Sequence, residues 1–84
     1  MNVEEMASRY IFKTERVLRN MIRVQRPTIE EEAVMEVIEE AKRYLEDARF
    51  YLERGMSGTS LASVAYAEGL LDSLRMLGLL EFSW

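Results

Sequence analysis

No cysteine and no histidine occur anywhere in the 84 residues. That removes disulfide staples, thiol nucleophiles, Cys/His zinc sites and imidazole acid–base chemistry together. No apolar run approaches the ~20 residues that a membrane span needs. The opening Met1-Asn2-Val3-Glu4-Glu5 is acidic where a secretory signal would be basic, so the expected location is cytoplasmic and off the membrane. The net charge of -4 disfavours nucleic acid as a partner for the molecule as a whole. Asn and Gln are scarce, while 31% of the residues are charged, mostly Glu and Arg. This is the balance of heat-adapted proteins, whose surfaces carry ion-pair networks. A chain of this length makes one domain, and it buries only ~60% of its unfolded surface.

What is present is helical periodicity. The spacing predicts three helices, at about 3–25, 29–54 and 59–77. In the first, Ala7, Tyr10, Ile11, Thr14, Val17, Leu18, Met21, Ile22 and Val24 fall on one face. Its other face is basic: Arg9, Lys13, Arg16, Arg19 and Arg23. Arg26-Pro27-Thr28 breaks the pattern, because a residue before proline is pushed out of the helical region. Thr28 with Glu31 has the spacing of a capping box. The second helix has an inner face running from Ala33 and Val34 through Val37, Ile38, Ala41, Tyr44, Leu45, Ala48 and Tyr51 to Leu52. Its outer face is acidic, with Glu39 and Arg43 spaced as an i,i+4 pair. Gly55 suits the left-handed position that closes a helix, and Gly78 ends the third. Ser57, Thr59 and Ser60 are the candidate caps for that third helix.

The third helix is the most apolar and is expected to be central. Val64, Ala67, Leu70, Leu71, Leu74 and Leu77 form its inner face, and Ala62, Ala65 and Gly69 form a small strip that another backbone can approach. The tail Leu79–Trp84 is too apolar to float free. It must cover either its own bundle or another chain. The expected architecture is therefore all-α: one domain over residues 1–84, an antiparallel up-down-up three-helix bundle with short loops and an apolar C-terminal tail.

The run Ala41–Gly55, followed by Ser60–Asp72, resembles the short archaeal proteins grouped as domain of unknown function 357 (DUF357). Tyr66-Ala67-Glu68-Gly69-Leu70-Leu71-Asp72 is its most specific part. The likeness covers the C-terminal half closely and the first helix loosely. Relatives tend to read Asp-Tyr after the glycine where this chain has Met56-Ser57. The resemblance implies an archaeal cytosolic three-helix bundle and no established activity. Occasional fusion of such domains to nucleotidylyltransferase-like domains implies an accessory role.

No residue set suggests a catalytic site, a resident metal or a cofactor, and the chain is expected not to be an enzyme. The principal expectation is a protein-binding or scaffold module that self-associates as a homodimer or joins another protein. Its candidate interaction residues are Phe12, Arg16, Arg19 and Arg23 on the basic face, with Met35, Phe50, Phe82 and Trp84 as apolar surplus. One alternative is a nucleic-acid accessory role, with phosphates on the arginines and a base stacked on Phe12. Another is a metal or ligand site on the polar stripe of Glu68, Asp72 and Arg75. Two carboxylates alone supply too few oxygens for a hard cation, and Asp72 with Arg75 is also a plain i,i+3 ion pair.

Overall fold

The computed structural model describes residues 2–26 and 28–84. Pro27, the expected breaker, lies outside the described residues, as does Met1. Three helices follow one another: α1 over Val3–Asn20, α2 over Glu31–Glu53 and α3 over Ser57–Met76. The fold is all-α, with no strand among the described residues.

The helix ends follow local chemistry. The Asn2 side chain accepts from the Glu5 N–H at 2.7 Å and starts α1, while Glu4 and Glu5 suit its positive pole. α1 stops at Asn20, short of the expected Gln25. There the Asn20 amide donates to the Arg16 carbonyl, and Met21 turns extended at φ -66, ψ 148. The capping box of Thr28 and Glu31 does not form. Helix α2 starts later, with Glu30 at its N-cap and no side-chain cap. Thr28 lies two residues too early for its hydroxyl to reach the first turn. None of Ser57, Thr59 or Ser60 caps α3 either, because Met56 holds that position. The two glycine stops are as expected. Gly55 has φ +73, with Gly55 N–H donating to Leu52 O and Met56 N–H to Tyr51 O. Gly78 has φ +78, with Gly78 N–H donating to Arg75 O and Leu79 N–H to Leu74 O. Both are the paired bonds of a Schellman motif.

The short turn folds α2 and α3 into an antiparallel hairpin, as the crossing pairs show. The Ser60 hydroxyl donates to the Ala48 carbonyl at 2.7 Å, and the Tyr44 and Tyr66 rings lie 4.3 Å apart. Among the described residues, those buried are Ala41 and Ala48 on one helix and Ser60, Ala67 and Leu74 on the other. Each set repeats every seven residues, which keeps one seam facing the partner helix. Four of the five are small, so the helices meet through alanine and serine rather than through leucine. The larger residues beside the seam, Val37, Ile38, Val64, Leu70 and Leu71, are only half-buried. The strip Ala62, Ala65 and Gly69 is exposed, and a Cβ placed on Gly69 would meet nothing within 4 Å. The close approach uses Ser60 and Ala67 instead. Leu77, expected inside, is exposed. On α2 the ion pairs are i,i+3: Lys42 with Glu39, Arg43 with Glu40 and Arg49 with Glu46.

The first helix does not complete a bundle within the chain. No Cα of α1 comes within 8 Å of α2 or α3, and none of its residues is buried. Its expected inner face is therefore open, and α3 is one half of a pair rather than a central helix. The accessible surface is 7486 Å² for a mass of 9.8 kDa. A compact monomer of that mass exposes about 5,200 Å². The radius of gyration is 15.4 Å, against about 12 Å for a compact chain of this length. The chain is open, and the helix it holds away is amphipathic.

Candidate functional site

Because the seam is made of small residues, the larger apolar side chains stand along its lips. On one side of the hairpin they enclose a groove of about 360 Å³. Its walls are Ile38, Ala41 and Leu45 of α2 and Val64, Ala67 and Leu71 of α3, with Trp84 against it. Among the described residues, Lys42 and Glu68 are the charged ones that line it.

Trp84 reaches the groove because the tail folds back along its own helix. The Arg75 guanidinium donates to Asp72 Oδ1 through Nε at 2.8 Å and Nη2 at 2.6 Å. The Trp84 indole N–H reaches the same oxygen at 3.5 Å. Phe82 and Trp84 meet edge to face at 5.0 Å, and Arg75 lies 5.8 Å from the Phe82 ring centroid. The Arg75 hydrogen bond, with a smaller contribution from Trp84, holds the Asp72 carboxyl below the usual carboxylate range, while partial desolvation works the other way.

The structure thus regroups the sequence candidates. Asp72 and Arg75 join Phe82 and Trp84, whereas Glu68 turns to the groove. Among the described residues no three carboxylates gather as they would around a metal ion. Arg16 and Arg19 project from the unpacked α1, with Arg19 4.0 Å from Glu15. Arg23 lies beyond the end of that helix, in the connecting segment. Phe12 is exposed. Met35 stands among Glu31, Glu32, Glu36, Glu39 and Glu40 on the acidic side of α2. Phe50 lies near the far end of α2 under the Arg54 guanidinium, 3.4 Å from its ring centroid. Phe12, Met35 and Phe50 therefore belong to separate places and make no common patch with the tail.

Of the groove residues, Ile38, Ala41, Leu45, Val64, Ala67 and Leu71 fall on the inner faces that periodicity predicts for the core, whereas Trp84 belongs to the apolar surplus and Glu68 to the polar stripe. The overlooked signal is the seven-residue repeat of small side chains, Ala41/Ala48 and Ser60/Ala67. It draws the two helices together and leaves Ile38, Leu45, Val64 and Leu71 along the edge.

Residues 9–80 match the family described as "Protein of unknown function (DUF357)", and the chain belongs to that family. The match takes in most of α1 as well as the whole hairpin. No curated protein and no solved structure matches the chain.

Proposed function

We propose that this DUF357 member is a non-enzymatic protein-binding module that acts by association, including association with itself. The observation that carries this reading is the apolar surface left uncovered. The chain exposes roughly 2,300 Å² more than a compact monomer of its mass. Large apolar side chains left uncovered include Tyr10, Ile11, Val17 and Leu18 along one face of α1, and Leu45 and Trp84 at the hairpin groove. A stripe of exposed large apolar side chains along one helix face marks an interaction site. Nucleic acid is the less favoured partner, because Glu4, Glu5 and Glu15 are interleaved with the basic residues of α1. Among the described residues, no helix is long and apolar enough to cross a membrane.

Sedimentation of the full chain over a wide concentration range tests the reading. The expected result is a mass above that of the monomer at micromolar concentration, or capture of a stoichiometric protein partner. A chain that stays monomeric at high micromolar concentration, with the amides of α1 protected from exchange by its own hairpin, would overturn it.

A further inference from the structure

We propose that the hairpin groove receives α1 of a second copy of this chain and that two chains exchange their first helices reciprocally. The proposal rests on the association reading above and names the partner and the contact.

Four observations support a second copy. First, α1 is built to cover something. Positions Met6, Tyr10, Ile11, Val17 and Leu18 fall within an arc of about 140°, and only Phe12 interrupts the polar remainder. Second, the charges are complementary. Residues 1–30 carry six Lys/Arg and four Asp/Glu, whereas residues 31–84 carry five and eleven. The segment that holds α1 is net positive and is drawn toward the net-negative remainder of a second chain. Third, the lengths agree. The 18 residues of α1 span about 27 Å and the 20 of α3 about 30 Å. Fourth, the area fits. Two chains that each cover an excess of roughly 2,300 Å² bury about 4,600 Å² together, inside the range of obligate homodimers. A single family also spans α1 and hairpin together, so helix and groove belong to one unit.

The direction of exchange comes from the connector. Met21 and Glu30, which flank it, are both extended, at ψ 148 and ψ 144, and α1 stands away from its own hairpin. In this open form the shared contact is made between chains. Exchange of an identical element is a low-cost route to a dimer, because it needs no surface beyond the one the fold already carries.

The chain offers a clean probe, since its only two lysines are Lys13 on α1 and Lys42 in the groove wall. Equal amounts of ordinary and ¹⁵N-labelled full chain are mixed, unfolded and refolded together, then treated with an amine-reactive cross-linker and digested. Exchange is expected to give Lys13–Lys42 links that join one light and one heavy peptide. Ile11→Glu combined with Leu18→Glu, both exposed in the open chain, is expected to weaken dimerisation roughly 100-fold or more. Circular dichroism of that variant should still show the hairpin's helix. Lys13–Lys42 links found only within one isotope would mean that α1 closes on its own hairpin, and would overturn the proposal. A dimer by sedimentation that lacks the mixed link would also overturn the exchange, while leaving the association reading intact. A monomer would overturn both.

Discussion

Ala67→Leu is the substitution that best separates a small-residue seam from a leucine core. Ala67 is 5% exposed and Ala41, across the seam, is 3% exposed. If α3 met its partner through leucines, a leucine at position 67 would bury more apolar surface and stabilise the protein. In this structure the two helices are already in contact there, and three added carbons must force them apart. Overpacking of this kind costs about 1–3 kcal/mol. For a chain of this size each kcal/mol moves the melting temperature by about 4–8 °C, so a drop of about 10 °C is expected. The assay is thermal and urea denaturation followed by circular dichroism at fixed protein concentration. Leu61→Ala is the control, because Leu61 lies on the same helix yet is 68% exposed, and a surface change is expected to stay within about 0.5 kcal/mol. A neutral or stabilising Ala67→Leu would refute the alanine seam and place a different face of α3 inward.

Leu74→Ala removes the one large residue among those buried in the seam and should cost about 2–5 kcal/mol in denaturant melts, with half-buried Leu71→Ala costing less. Arg16→Glu with Arg23→Glu should leave the helix content unchanged by circular dichroism, because both side chains are exposed and neither belongs to the seam. The sole tryptophan, Trp84, reports on the tail by fluorescence. Its anchor Asp72 titrates below the usual carboxylate range when folded, so its contribution is complete above the unfolded value of about 3.9 and is lost as pH falls through the folded value. The fluorescence should therefore shift only under strong acid in the natural chain and should already be shifted at neutral pH in Asp72→Asn. An emission spectrum that ignores both changes would detach the tail from Asp72.

Much of the hairpin was legible in the sequence. Gly55 and Gly78 announced their stops because a left-handed residue after a helix leaves few alternatives to glycine. The inner faces of the second and third helices contained all the buried residues except Ser60, whose hydroxyl satisfies itself on the Ala48 carbonyl. What periodicity could not rank was size. It counts Leu71 and Ala67 alike as apolar, yet the helix spacing follows the smaller residue, so Leu71 stands on the groove's lip while Ala67 lies beneath it. The end of α1 was missed for a related reason. Met21, Ile22 and Val24 continue the apolar rhythm, but the Asn20 amide takes the Arg16 carbonyl and Met21 turns extended, so the helix stops there. The groove itself was not legible, because amphipathic faces show what needs covering and not which chain covers it.

The separation of α1 from the hairpin also has a meaning in time. Synthesis runs from the N-terminus, so α1 is made first and both helices of the hairpin are present only once Met76 has been added. At about 5–20 residues per second, the 56 positions from Met21 to Met76 take about 3–11 s. Helix formation and hairpin closure are far faster than that. For those seconds the apolar face of α1 faces only solvent, chaperones and the nascent chains on neighbouring ribosomes of the same message. Under the exchange proposed above, a groove finished on a leading chain would be within reach of a first helix from a trailing one, and the spacing of ribosomes along the message would then bear on which copies pair.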